Sequence, residues 1–284
     1  MRGAVMKSLV RWGATLGLVG STLLGAVFAG SFPVLALSEQ QIKDKLDSVP
    51  VYLITNEKGL PLSRALPEAQ SGPKKGGSVT GVYLSRQEAQ TFINELRSAK
   101  GKDPKLEEIA KNLQVTAVPL GVIYQQLQQT KNQDNRLLFA FKPVDQEIKG
   151  ALELLQQSGQ KVDQFKSVPV FAVRFAPDQG YVPIQMTADK QQLIPLFLSK
   201  QDAQGLLGQV KPKYPKADIQ VIDVDGVIKT LQDKNDSWLN QVVLVPSAES
   251  RQYIQTLPRD NNAPKTPAVA PNRNNSQPAK PKQR

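Results

Sequence analysis

The chain of 284 residues contains no histidine and no cysteine. Without histidine it lacks the usual general base of serine and cysteine hydrolases, the commonest metal ligand, and the side chain that titrates near neutrality unperturbed. Without cysteine, thiol catalysis, thiolate metal sites and disulfides are excluded. Lysine, carboxylate and tyrosine chemistry is still open. Aromatic residues make up only 6% of the chain, and neither GxxxxGK[ST] nor a strand-linked GxGxxG phosphate loop occurs. Long apolar runs are scarce too: one lies near the N-terminus, and no other approaches the roughly 20 residues that span a bilayer.

That one run has the layout of an export signal. Arg2, Lys7 and Arg11 precede a stretch of glycine, alanine, leucine and valine ending at Val34, Leu35 and Ala36. Cleavage is expected after Ala36, giving a signal peptide at 1–36, with an uncleaved anchor helix as the alternative reading. The opposite end, 258–284, holds Pro258, Pro264, Pro267, Pro271, Pro278 and Pro281 among asparagine, lysine and arginine. Its composition cannot bury enough apolar surface to offset ordering entropy, so a disordered basic tail is expected.

The formal charge of +11 shrinks to +3 for the body once the three leader cations and the net five of the tail are set aside. No basic stripe with interleaved aromatics remains, so nucleic acid is not an expected partner. The tail could make weak contact with anionic envelope surfaces.

The remaining body, 37–257, repeats itself. VPVYLIT at 49–55 returns as VPVFAVR at 168–174, and GVYLSRQEAQ at 81–90 as IPLFLSKQDAQ at 194–204. The triplet Gly121, Val122, Ile123 returns as Gly226, Val227, Ile228. A strand closing on Pro143 returns as one closing on Pro246. The offsets of 119, 114, 105 and 103 keep their order and shrink steadily, as expected of one duplicated unit with shorter loops in its second copy. Repeat one covers about 37–160 and repeat two about 161–257.

Local chemistry gives each unit its elements. Ser85 with Glu88, and Ser199 with Asp202, stand three apart after an apolar strand, the spacing of a capping box. Behind them Ala89, Phe92, Ile93 and Leu96, then Ala203, Leu206, Leu207 and Val210, form apolar stripes at i, i+3, i+4 and i+7. A hairpin at the unit start, strands at 115–119 and 219–223, further strands at 136–142 and 241–245, and closing helices at 144–157 and 248–257 complete the pattern. The fold expected is α/β, mixed α+β, with two pseudo-symmetric repeats. Each runs β-hairpin then β-α-β-α-β-α, and both share one compact two-lobed body. A helix at 39–47, capped by Ser38, feeds the first unit, and the helix ending near Gln157 is expected to do so for the second.

Chemistry-bearing clusters are few. Asp218, Asp223, Asp225, Asp233 and Asp236 are interrupted by Ile219, Val221, Ile222 and Val224, unlike a calcium loop, and read as strand alternation with Asp223 or Asp225 capping a helix. Glu107 and Glu108 read as solvated. No catalytic residue, metal ligand or cofactor is therefore assigned. Matched aromatics, Tyr52 with Phe171 and Tyr83 with Phe197, read as core. The alternative is a face kept open as a polypeptide-binding groove formed by Tyr52, Ile54, Tyr83, Phe171, Val173 and Phe197. The long loop at 64–78, against a short one at 187–191, is a second candidate for binding.

At VPVYLIT, GVYLSRQEAQTFINEL, LFAFKPVDQEIKGALELL, VPVF and PLFLSKQDAQGLL, together spanning most of 38–257, the sequence resembles the Tic twenty-two-like family. That family comprises soluble intermembrane-space components of chloroplast import and their cyanobacterial relatives. The resemblance implies a periplasmic protein, also placed in the thylakoid lumen, without catalytic residues and with apolar pockets on a pseudo-symmetric body. It implies a chaperone or adaptor role in protein transport and outer-membrane protein biogenesis, with barrel-assembly proteins and unfolded barrel precursors as partners. Two other functions fit the composition: an exported carboxylate-based enzyme acting on envelope glycans, and a structural protein linking parts of the envelope.

Overall fold

The structure, a computed structural model, describes residues 37–65, 77–98, 104–133, 137–177, 179–185, 191–234 and 236–256. The expected signal peptide, the tail and most of the 64–78 loop lie outside the described residues.

The first half opens with α1 (Glu39–Leu46), held by a complete capping box: Ser38 Oγ accepts from the Gln41 amide, and the Gln41 side chain accepts from the Ser38 amide. There follow β1 (Pro50–Thr55), β2 (Ser63–Ala65), β3 (Ser78–Tyr83), α2 (Arg86–Ser98), α3 (Pro104–Lys111), β4 (Gln114–Pro119), α4 (Leu120–Thr130), β5 (Leu137–Lys142) and α5 (Asp145–Gln157). The turn from β1 to β2 uses Gly59 at φ 76 and Asn56, whose side-chain oxygen accepts from the amides of Lys58 and Leu60. The second half has β6 (Pro169–Arg174), β7 (Ile184–Gln185), β8 (Gln192–Phe197), α6 (Lys200–Val210), β9 (Asp218–Asp223), α7 (Val224–Asp233), a 3-10 turn at Ser237–Gln241, β10 (Val242–Val245) and α8 (Ala248–Thr256).

The two sheets share one topology. β1 lies antiparallel between β4 and β3, β5 joins β3 in parallel, and β2 pairs with β3 beyond the end of β1. In the same way β6 lies between β9 and β8, β10 joins β8 in parallel, and β7 pairs with β8. The matched aromatics are cross-strand partners, Tyr52 opposite Tyr83 and Phe171 opposite Phe197. Pairing register corrects one detail. Pro50 faces Pro119 and Pro169 faces Asp223, which makes the third offset 104, so the Gly-Val-Ile triplets are one residue out of step. The structural equivalents are Leu120 and Val224, whose amides donate to the Val49 and Val168 carbonyls.

Strand alternation sends one face of each sheet to a common core. Val51, Leu53 and Val82 from the first sheet, and Val170, Ala172 and Leu196 from the second, join Ile42 and Leu46 of α1, Ile123 of α4 and Val227 and Leu231 of α7. Because this cluster draws on both halves, they form one body. The opposite faces carry separate cores, with Ile54 and Ile93 in the first half and Phe171, Val173 and Phe197 in the second.

The closing helices depart from the expected plan. α5 does not take the place that α1 occupies. It packs on β6, β9 and α6 of the second sheet. α8 crosses the other way, bringing Ser250 and Tyr253 against Tyr52 of the first sheet. Each half therefore covers the outer face of the other half's sheet.

Candidate functional site

The six residues expected to line an open groove are brought together, three on each sheet, but they are covered. Tyr52 and Phe171 are 0% exposed, Ile54, Val173 and Phe197 are buried, and Tyr83 is half-buried. Over the first sheet, the Tyr253 ring meets Tyr52 edge-on at 5.7 Å, the Tyr52 hydroxyl lies 3.3 Å from Ser250 Oγ, and Tyr83 stacks at a tilt on Phe92. Burial pushes the Tyr52 hydroxyl pKa up. Over the second sheet, Phe171, Val173 and Phe197 pack with Ala151 of α5 and Ala203 of α6. The groove reading is thus overturned at this face, because the exchanged helices close it and leave no room for a peptide.

The exchange is held by capping in trans. Glu249 of α8 accepts from Ser85 Oγ at 2.9 Å and from the Gln87 amide at 3.0 Å, so its charge sits at the N-terminus of α2. Glu147 of α5 accepts from the Lys200 amide at 2.7 Å, at the N-terminus of α6. Burial raises the Glu147 pKa, and the Lys200 bond opposes that shift.

The acids of the expected capping boxes serve elsewhere. Ser85 and Ser199 do accept from the amides three residues on. Glu88, however, accepts from the Asp145 amide, while Asp202 takes a two-armed bond from Arg251 at 2.8 and 3.1 Å. The Arg86 guanidinium lies 5.4 Å above the Tyr253 ring.

Where the halves meet, Val49, Pro50 and Leu84 face Val168, Pro169 and Leu198 around a cavity of about 20 Å³, with Glu147 and Ser250 on its wall. That is room for about one water molecule. A shallow groove of about 360 Å³ runs between α1 and β10, lined by Gln41, Asp44, Lys45, Ser48, Asn240 and Val242. There Lys45 Nζ donates to the carbonyls of Asn240 (2.9 Å) and Val242 (3.0 Å), and Ser48 Oγ donates to that of Leu244 (3.1 Å). Burial lowers the Lys45 pKa.

Four of the five aspartates singled out in the second half are spent on structure. Asp218 pairs with Arg174, Asp223 caps α7 through the Gly226 amide, Asp225 accepts from Ser167, and Asp233 pairs with Lys229. Among the described residues no three carboxylates converge as a metal site. Glu147, Glu249, Lys45 and Ser48 escaped the sequence reading because their partners lie between 53 and 197 residues away.

Two topologically identical mixed sheets, each roofed by the other half's terminal helix, define an internally duplicated α/β protein. The chain belongs to the Tic22-like family, which it matches over residues 4–256. It is similar to the solved structure of Anabaena Tic22, a protein of protein transport: identity is 78%, the match covers 78% of this chain and 99% of that one, and the TM-score is 0.76. Tic22 from Plasmodium falciparum shares the fold at 19% identity and TM-score 0.54, over 75% of this chain and 96% of that one. No curated protein matches.

Proposed function

We propose that this protein acts in protein transport as an exported chaperone or adaptor of the periplasm or thylakoid lumen, binding polypeptides and transforming none. The observation that carries this reading is the 78% identity, along nearly the whole of the solved relative, to a protein of protein transport. The clients are outer-membrane barrel precursors and the partners are the barrel-assembly proteins, as the resemblance of the repeated motifs implies. The site is not the aromatic strand face, which Tyr253 and α5 cover.

The test is dilution of a urea-unfolded outer-membrane barrel precursor into buffer with and without the purified protein, read by light scattering. An equimolar amount is expected to suppress aggregation, and cross-linking in isolated envelopes to recover barrel-assembly proteins. Unchanged scattering together with recovery of only cytoplasmic proteins ends the proposal.

A further inference from the structure

The two halves return from helix to sheet differently, and the difference concentrates charge at one end of the second sheet. In the first half α2 ends at Ser98 and β4 begins at Gln114, and the chain between them carries α3, with Lys105 and Lys111 beside Glu107 and Glu108. In the second half α6 ends at Val210 and β9 begins at Asp218, with only the turn 211–217, KPKYPKA, between them. From Ala203 to Ala217 the chain has three lysines, Lys211, Lys213 and Lys216, and no acid.

The turn is built to present those cations. The Val210 carbonyl accepts from the amides of both Lys213 and Tyr214, the Tyr214 carbonyl accepts from the Ala217 amide, and Pro212 and Pro215 restrict φ where they stand. The backbone is therefore fixed, while every residue from Lys211 to Lys216 is exposed. The Tyr214 ring stands edge-on against Phe175 at 4.7 Å and keeps 36% of its surface in solvent, with Lys213 Nζ 5.5 Å from its centre. Among the described residues none of the three lysines pairs with a carboxylate. Asp218, the nearest acid in sequence, is held by both arms of Arg174. Asp178, in the turn that follows Phe175, lies outside the described residues.

We infer that this turn is a docking surface for a membrane carrying anionic lipid, with the Tyr214 ring at the level of the headgroups and the three lysines against their charges. The inference goes beyond the polypeptide-binding reading and does not depend on it. Charge is its first support: three cations without a partner of their own complement an anionic surface. Shape is the second. Successive exposed residues project into solvent, and a projecting turn meets a flat surface, whereas an extended chain needs a groove or a sheet edge to hold it. Residue type is the third. Lysine is a hydrated point charge that suits a diffuse anionic surface, while single carboxylates are better recognised by the arginine fork. An aromatic ring with an apolar body braced by protein and a wet hydroxyl end is the kind that settles at a membrane–water interface.

The experiment is co-sedimentation of the chain from Leu37 to Arg284 with vesicles of phosphatidylcholine alone or with about one-third phosphatidylglycerol, at low salt. Binding to the anionic vesicles alone is expected, and it should fade as salt is raised. Because the tail is basic too, the decisive comparison keeps the tail and removes three charges from one of two places. Lys211→Gln, Lys213→Gln and Lys216→Gln together are expected to weaken binding about a hundredfold, at about fivefold for each lysine. Lys58→Gln, Lys111→Gln and Lys131→Gln together, at exposed positions of the first half, should weaken it by less than about threefold. Equal losses in the two triple variants would assign the binding to net charge and overturn the inference, as would a parent that does not sediment with anionic vesicles. Retention of soluble polyglutamate through the three lysines, by a parent that ignores the vesicles, would make an acidic polypeptide the occupant and overturn it as well.

Discussion

The two halves of the molecule agree where hydrophobic patterning decides and disagree where single polar residues do. Both sheets have the same strand order, the same register between their matched aromatics and the same roof borrowed from the other half. They part company at the parallel strand: β10 is met by α1, whose Lys45 donates to the Val242 carbonyl, whereas β5 is met by α4. A duplicated sequence thus carries its cores over intact, because core packing is set by many side chains at once. An edge depends on a few donors, such as Lys45 and Ser48, and is free to diverge.

Exchange of the closing helices makes the outer cores the most sensitive place to break the comparison. Phe171→Ala removes a fully buried phenylalanine from the outer core of the second sheet and should cost about 3–5 kcal/mol of unfolding free energy. Urea denaturation followed by circular dichroism measures it. A loss under about 1 kcal/mol would mean that α5 and α6 do not close over this face as described.

The next contrast uses the two glycines that the sequence pairs. A methyl group on Gly121 would overlap Asp47 Oδ1 and the Lys43 carbonyl, where α4 presses on the end of α1, whereas one on Gly226 would come no nearer than 3.2 Å to Asp223 Oδ1. Gly121→Ala is therefore expected to destabilise by about 1–3 kcal/mol through overpacking. Gly226→Ala should stay within about 1 kcal/mol of the parent, given the helical preference for alanine. Equal losses at both sites would show that α1 does not approach α4 so closely.

Tyr52 and Phe171 differ by one hydroxyl, and only the first half supplies a partner for it. Tyr52→Phe breaks the bond to Ser250 while keeping the ring against Tyr253, so a loss of about 1 kcal/mol is expected. No change in thermal midpoint would indicate that the hydroxyl contributes nothing to holding α8.

Much of this was legible in the residues. Proline at the start of β1 and β6, the apolar stripes of α2 and α6, and Ser38 before α1 specify their elements locally, so strands and helices fall where the periodicity puts them. The destination of α5 and α8 was not legible, because a helix with one apolar stripe does not say which of two similar sheets it will cover. For the same reason the reading of Tyr52 and Phe171 as core left an open groove as its alternative until their covers were located. Glu88 and Asp202 stand at the spacing of a capping acid, yet the Asp145 amide and Arg251 draw them away, a competition decided by residues 57 and 49 positions off.

The smallest expected effect tests the trans cap itself. Burial raises the Glu147 pKa above its ordinary 4.5, so the folded state holds that proton more tightly than the unfolded state. The favourable contribution of the protonated carboxyl is therefore full below the ordinary value and is lost as pH rises through the folded value. Glu147→Gln cannot titrate but can still accept from the Lys200 amide through its side-chain oxygen. The stability of the parent relative to this variant should accordingly fall as pH is raised from about 4 to about 7, measured by urea denaturation at a series of pH values. A difference that is flat across that range would mean the Lys200 bond balances desolvation, and one that moves in the parent's favour would mean it outweighs desolvation. α5 would then be held to α6 by a charged cap, and its contact with the second half would resist alkali where the present reading has it weaken.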